Sequence, residues 1–325
     1  MTKAIVVRET GGPEVLKYET IDLADPKEGE ALVRHAAIGV NFIDVYFRSG
    51  LYPSPTGMPF IPGNEGAGIV EAVGLGVSHV KAGDRVAYVG PIGSYAESRI
   101  VPADRLVALP DDISDKTAAA MMLKGITAQY LLCRTFKVAE GHTILFHAAS
   151  GGVGLIACQW AKALGATIIG TVGSAEKAEL AKAHGAHHTI NYRTEDFVAR
   201  VQEITGGKGV DVVYDSIGQD TYPGSLDSLK PLGMWVSFGQ ASGPITNFNL
   251  ADLALKGSLF ATRPTIFNYI AERSDLEQSA NDLFNVVSSG RVKIPIHQEY
   301  ALADAGAAHE ALESRRTTGA SILTV

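Results

Sequence analysis

The spacing of apolar residues changes character about one third of the way along the chain. Before residue 115, short apolar runs are broken by Gly and Pro: Ala4–Arg8, Ala31–Ile38, Ala67–Val73, Asp84–Tyr88 and Ser94–Val101. Such runs read as β-strands. One helix interrupts them, Asn41–Gly50, and strands and helices do not alternate here. The pattern predicts an irregular, partly closed barrel.

From Asp115 the period becomes helical in DKTAAAMMLKGITAQYLLCRTF. A regular alternation follows. Strands are predicted at Thr143–His147, Thr167–Val172, His188–Tyr192, Val210–Tyr214, Met234–Phe238 and Ser258–Ala261. Helices are predicted at Gly152–Leu164, Glu176–His184, Glu195–Thr205 and Tyr222–Leu229. This order predicts a doubly wound parallel sheet covered on both faces. One long helix over Ile266–Ser289, a strand Ile294–Tyr300, a helix Leu302–Ser314 and a strand Ser321–Val325 complete the chain. If the last strand rejoins the first part, the parallel sheet is an insert. The expected division is 1–124, 125–262 and 263–325.

Bulk composition adds little to this α/β picture. The chain has 325 residues, 46% hydrophobic and 19% charged, with a net charge of −7. No long basic run appears, so nothing suggests the electrostatic footprint of a nucleic-acid binder, and no apolar run is long enough to span a membrane. The two cysteines, Cys133 and Cys158, do not make a disulfide framework and suit a reducing compartment. The start, MTKAIVVRETGG, reads as a strand rather than a signal peptide. The expected location is the cytoplasm.

The stretch HAASGGVGLIACQWAKALGA, 147–166, carries the most specific chemistry. It lies between a strand and a helix, as the dinucleotide fingerprint G-x-G-x-x-G requires. Gly151 lets backbone approach a diphosphate and Gly154 lets the helix pack closely. The helix start offers unpaired N–H groups. The first glycine is replaced by Ala149, which fits if that position has ordinary backbone angles. NAD calls for an acid at the end of the next strand. Here the strand ends Val172-Gly173-Ser174, with Lys177 one turn on and Tyr192-Arg193 after the following strand. Small residues with nearby positive charge predict NADP, although Glu176 stands beside them. No metal site is expected. His187 and His188 are strand neighbours pointing to opposite faces, and neither cysteine has ligand spacing.

Several longer segments together give the chain a family resemblance. They are GVNFIDVYFRSGLYP (39–53), PGNEGAGIVEAVG (62–74), LKGITAQYLL (123–132), FHAASGGVGLIACQWAKALGA (146–166), VVYDSIG (212–218), SFG (237–239), TRP (262–264) and HEALESRRTTGASIL (309–323). The chain resembles the zinc-free quinone oxidoreductases of the medium-chain dehydrogenase/reductase superfamily, end to end. The resemblance implies a Rossmann domain inserted in a GroES-like catalytic domain, NADPH as cofactor, and a homodimer. Zinc-dependent relatives carry Cys at the position of Asn41, His at that of Asn64, and a four-cysteine lobe absent here. Matching the family residue by residue implies cofactor and cleft roles for Asn41, Asp44, Tyr46, Tyr52, Lys124 and Thr127. In the inserted domain it implies them for Gly152, Val153, Gly173, Lys177, Tyr192, Ser216, Phe238, Gly239 and Gln240. Beyond lie Phe260, Thr262, Arg263 and Arg315.

The expected reaction is metal-free reduction of a quinone by NADPH, in one-electron or two-electron steps. An acceptor oxygen gaining charge would welcome a donor, for which Tyr46, Tyr52, Asn41 and Arg263 are the candidates. The same hydride could reduce an enone or 2-alkenal. A relative that binds the nucleotide but serves a structural or RNA-binding role is the alternative of another class.

Overall fold

The computed structural model describes residues 1–325. The chain folds into two compact units. The first is Met1–Ile126 with Ile270–Ser288 and Ile294–Val325, and the second is Thr127–Tyr269 with Ser289–Lys293. Residues 263–269 thus belong to the inserted unit, seven residues past the boundary read from the pattern.

The first unit begins with an antiparallel pair, β1 (Thr2–Val6) and β2 (Lys17–Ile21). Then come β3 (Glu30–Val40), α1 (Phe42–Ser49), β4 (Glu65–Val73), β5 (Arg85–Val89), β6 (Ser98–Pro102) and β7 (Val107–Ala108). The helix α2 (Asp115–Tyr130) leads to the second unit. That unit runs β8 (Thr143–Phe146), α3 (Gly152–Ala163), β9 (Thr167–Val172), α4 (Ala175–Ala183), β10 (His188–Asn191), α5 (Phe197–Ile204) and β11 (Val210–Asp215). It continues with α6 (Tyr222–Asp227), β12 (Leu229–Ser237), α7 (Ala251–Leu255), β13 (Phe260–Thr262) and α8 (Ile266–Tyr269). Last are α9 (Arg273–Ser288), β14 (Ile296–Ala301), α10 (Ala305–Glu313) and β15 (Ala320–Thr324).

The two ends of the chain build the first unit together. Its seven-stranded sheet has the order β14-β15-β3-β4-β5-β7, with β6 on β3. The last strand pairs antiparallel with β3, Ser321 opposite Val40 and Thr324 opposite Ala37. The order has β14 and β7 at its ends. The Arg48 guanidinium on α1 donates two bonds of 2.8 Å to the Glu313 carboxylate on α10. This bidentate pair ties a residue of the first third to one of the last.

The long helix expected over Ile266–Ser289 is two helices, α8 and α9. The break has a physical cause. Ile270 is buried, and the carbonyls of Ile270 and Ala271 accept from the Arg105 guanidinium at 2.8 and 3.2 Å. Those carbonyls are therefore capped by a side chain.

The second unit is a six-stranded parallel sheet of order β10-β9-β8-β11-β12-β13. The chain runs β8, β9, β10 outward on one side and returns through α5 to place β11 beside β8. The strand order reverses between β8 and β11, which makes their carboxyl ends the switch point where ligands bind in such sheets. Strand interiors are apolar on both faces: Leu145, Ile169 and Val213 are fully buried on one, and Ile144, Ile168 and Val212 on the other.

Candidate dinucleotide and active-site residues

After β8 the chain turns sharply. The His147 N–H donates to Tyr214 O at 3.0 Å, the Ala149 N–H to Thr171 O at 3.0 Å and the Gly151 N–H to Ala148 O at 2.9 Å. The left-handed residue of this turn is Ala148, with φ +54°. For a non-glycine residue that costs about 1–2 kcal/mol. Ala149 keeps ordinary angles, so a methyl group is allowed there. Its space comes from the neighbouring strand, since a Cβ at Gly170 would stand 2.6 Å from Ala149 Cβ. The lost glycine of the fingerprint is thus compensated by one on β9. Gly154 has no such latitude. A Cβ there would meet Ala148 O at 2.4 Å and the Ala149 carbonyl at 2.7 Å.

Gly151 is the N-cap of α3, and the N–H groups of Gly152 and Val153 in its first turn have no acceptor within the helix. N–H groups at such a helix start suit an anion, and these lie at the switch point. At the end of β9, Ser174 caps α4 and accepts the Lys177 N–H at 3.3 Å. Tyr192 follows β10, and a Cβ on Gly173 would stand 2.7 Å from its hydroxyl, so glycine leaves room for that ring. Lys177 is half-buried, and Arg193 is exposed at the same edge. The Glu176 carboxyl is held below its ordinary range by the Ser174 hydroxyl.

The loops after β11 and β12 interlock. Ala241 N–H donates to Ser216 O at 3.1 Å and Phe238 N–H to Asp215 O at 2.8 Å. A Cβ at Gly239 would lie 2.6 Å from Ser216 O. The Arg263 guanidinium laces this edge, reaching Ser237 O at 3.0 Å, Gly239 O at 2.9 Å and Gln240 Oε1 at 3.3 Å. Ala149, Gly151, Gly152, Val153, Gly154, Gly173, Ser174, Lys177, Tyr192, Arg193, Ser216, Phe238, Gly239, Gln240, Thr262 and Arg263 therefore all belong to the carboxyl edge of one sheet. Phe260 does not. It opens β13 opposite Met234 and is 57% exposed. Thr127 is buried in the same unit, whereas Arg315 is an exposed residue of the first unit with φ +57°.

The remaining candidates lie in the first unit, in a buried polar cluster. Asp44 on α1 accepts from the Asn41 N–H at 2.9 Å, Asn64 Nδ2 at 2.8 Å and the Tyr95 hydroxyl at 3.1 Å. That hydroxyl also meets His309 Nε2 at 3.0 Å. Glu65 opens β4 and accepts from Asn41 Nδ2 at 2.8 Å, the Leu123 N–H at 2.6 Å and Lys124 Nζ at 2.8 Å. Beside the cluster, Tyr46 and Tyr52 meet edge to face at 5.1 Å. Sequence reasoning does not single out Glu65, Tyr95 or His309. Gly39 is the available signal for Glu65, because a Cβ there would stand 2.2 Å from its carboxylate.

Burial sets the protonation of this cluster. It pushes Asp44 up to about 7, against the three donors that favour its charged form. It pushes His309 down to about 3, with Arg48 adding to the effect. Elsewhere in the unit His35, bonded to Ala96 O and the Tyr88 hydroxyl, is held down to about 4 by burial. The signs differ. The two histidines contribute stability that is present above about pH 6.5 and lost as pH falls toward their folded values. Asp44 contributes stability at low pH that is lost as pH rises toward 7. Between about pH 6 and 4, the stability of a His309→Gln variant relative to wild type should rise by about 1.4 kcal/mol per pH unit lowered. Urea unfolding across that range measures the slope, and a flat difference would show that His309 takes up its proton in the folded state.

Two family models match the chain: "Alcohol dehydrogenase GroES-like domain" over residues 27–111 and "Zinc-binding dehydrogenase" over 152–283. These define a medium-chain dehydrogenase/reductase, a parallel-sheet nucleotide domain set within a GroES-like domain. A quinone oxidoreductase of Pseudomonas aeruginosa is 54% identical over 99% of both chains. The solved structure of Escherichia coli quinone oxidoreductase complexed with NADPH is 52% identical, covers 99% of this chain and 100% of that one, and superposes with TM-score 0.97. A 2-haloacrylate reductase of Burkholderia is 45% identical over 99% of both chains. The chain belongs to the quinone oxidoreductase family of that superfamily.

The family-model description raises zinc, and the residues do not fit it. No three of His, Cys, Asp and Glu converge to hold a metal ion. Within the polar cluster, the Asn41 and Asn64 amides present Nδ2 donors to carboxylates, and an ammonium already pairs with Glu65.

Proposed function

We propose that this protein reduces quinones with NADPH, without a metal. The observation that carries the reading is the carboxyl edge of the parallel sheet. There an anion cradle at Gly151–Val153 stands with a β9 end that has Gly173, Ser174 and Lys177 where an acid would hold an NAD ribose. The residues fit NADPH. The first turn of α3 would hold its diphosphate, and Lys177 with Arg193 its 2′-phosphate. The Ser216 and Phe238–Gln240 loops, laced by Arg263, would shape the nicotinamide end. When bound, the cofactor supplies a hydride.

The candidates for the acceptor end take separate roles. Asn41 and Asp44 are committed within the cluster, so they hold α1 in place. Tyr46 and Tyr52 carry phenolic hydroxyls, and they are our candidate donors to the acceptor oxygen. Arg263 is spent on carbonyls and acts on loop shape. The acceptor class is tested by steady-state NADPH oxidation with a benzoquinone and with an α,β-unsaturated ketone. Turnover of the quinone is expected, and turnover of the ketone alone would move the protein to the enone reductases, the chemistry suggested by the haloacrylate reductase relative.

The assembly we propose is a homodimer. Strand β13 ends the six-stranded sheet with one unpaired edge. Close to it in sequence, Leu250, Leu255 and Phe260 are 72%, 83% and 57% exposed. Light scattering should give twice the mass of one chain, and Phe260→Asp should shift it to one. A single-chain mass for the wild type would contradict the dimer. No helix of the structure is long and apolar enough to cross a membrane. Both cysteines are free, which supports a cytoplasmic, reducing location.

A further inference from the structure

The switch point is crossed by a buried hydrogen-bond chain that takes no part in the cofactor contacts proposed. His147, directly after β8, is 1% exposed. Its Nδ1 lies 3.0 Å from Thr171 Oγ1 on β9, and its Nε2 lies 3.1 Å from Ser225 Oγ on α6. Ser225 Oγ donates to Asp215 Oδ2 at 2.9 Å. Asp215, at the end of β11, has no exposed surface. Its carboxylate also accepts the N–H groups of Ile217 at 2.9 Å and Gly218 at 3.1 Å, the Thr221 hydroxyl at 2.9 Å and the Trp235 indole at 3.3 Å. At the other end, Thr171 Oγ1 accepts the Ala148 N–H at 3.4 Å.

Counting protons gives the chain a direction. Ser225 spends its one hydroxyl proton on Asp215, so its oxygen accepts from His147, and Nε2 carries the ring proton. Nδ1 then accepts from the Thr171 hydroxyl, whose oxygen accepts from Ala148. Every link runs one way, from the glycine turn through the imidazole to the Asp215 carboxylate, on which the N–H groups of the loop after β11 converge from the other side. Burial lowers the pKa of His147 against the opposing pull of Asp215, which agrees with a neutral ring. Phe197 packs at 88° to the ring with centroids 5.1 Å apart, closing off the site.

We infer that His147 is a positioning residue that holds the glycine turn after β8 and the 216–218 loop after β11 in one arrangement, so that a bound dinucleotide meets both halves of its site already placed. This rests on the NADPH reading above. Breaking the chain should therefore weaken the whole dinucleotide and leave its 2′-phosphoadenosine end untouched, because Ser174, Lys177 and Tyr192 lie outside the chain.

The test uses the full-length protein with Thr171→Val, Ser225→Ala and the double variant, and Thr171→Ser as the conservative replacement. The probes are NADPH and adenosine 2′-monophosphate. Each single variant should raise KM for NADPH about tenfold, the order expected for one lost buried hydrogen bond, with kcat within about twofold. The inhibition constant of adenosine 2′-monophosphate should stay within about twofold. The double variant should be no worse than the weaker-binding single variant, since one broken link already uncouples the loops. Thr171→Ser should restore the wild-type KM. The inference is overturned if the single variants keep the wild-type KM, if both probes weaken together, or if the two losses simply add. Thermal melting reports folding of each variant, and Thr171→Val, close in shape to threonine, decides alone if Ser225→Ala fails to fold. A wild type that binds no NADPH would instead refute the functional reading.

Discussion

Glu65→Ala should lower stability by roughly 3–5 kcal/mol, the usual cost of stripping one partner from a buried ion pair, and lower Tm by roughly 10 °C. The reason is the environment of Lys124. Its side chain is 7% exposed and that of Glu65 is 0% exposed, with 2.8 Å between Nζ and Oε1. Removing the carboxylate leaves a desolvated ammonium, and it also orphans the Asn41 amide and the Leu123 N–H. Coulomb attraction is therefore only part of the loss. The paired substitution Glu65→Gln with Lys124→Met removes both charges and should recover about half of the stability, since the desolvation cost disappears with them. Melting curves of the three proteins decide the matter. A Glu65→Ala protein melting within about 2 °C of wild type, on the order of 1 kcal/mol or less, would contradict the buried pair.

Lys177→Ala should raise KM for NADPH about tenfold to a hundredfold and leave KM for NADH within about twofold. A charge-assisted bond to phosphate is worth about 1.5–3 kcal/mol. Lys177 is only half-buried, and solvent screening places the expectation toward the lower end. The discrimination has a structural basis. The end of β9 carries no acid for a ribose hydroxyl, and Ser174 is already engaged in capping α4. Equal losses for the two nucleotides would remove Lys177 from the 2′-phosphate site and assign its role to the shape of the helix.

What could be read from the sequence followed from period and punctuation. The alternating strands and helices announced the parallel sheet, because buried strands are apolar throughout and the helices between them carry a period of 3.6. The glycine turn was legible because its glycines sit between a strand and a helix. The compensation for Ala149 was not legible. It depends on Gly170, more than twenty residues away, which only the pairing of β8 with β9 brings against it. Long-range contact hid the polar cluster in the same way. Asp44, Tyr95 and His309 come from three separate parts of the chain, and their bonds need β15 laid beside β3. The break at Ile270 was invisible for a similar reason, since the group that caps it, Arg105, lies 165 residues earlier.

His147 shows both sides of this. Its place at the end of the strand before the glycine turn was legible. Its actual partners, Thr171 and Ser225, are hydroxyls supplied by β9 and α6. Sequence can place a histidine beside a site, while the polarity of its bonds comes only from the fold.

The most direct measurement for the whole account is the steady-state rate of quinone reduction by the wild-type protein with NADPH and with NADH at equal concentrations, with no added metal and with a chelator present. Quinone-dependent oxidation of NADPH is expected, with a kcat/KM at least about tenfold higher than with NADH, about 1.4 kcal/mol of discrimination at the 2′-phosphate, and no loss on chelation. A preference for NADH, or activity abolished by the chelator, would contradict it.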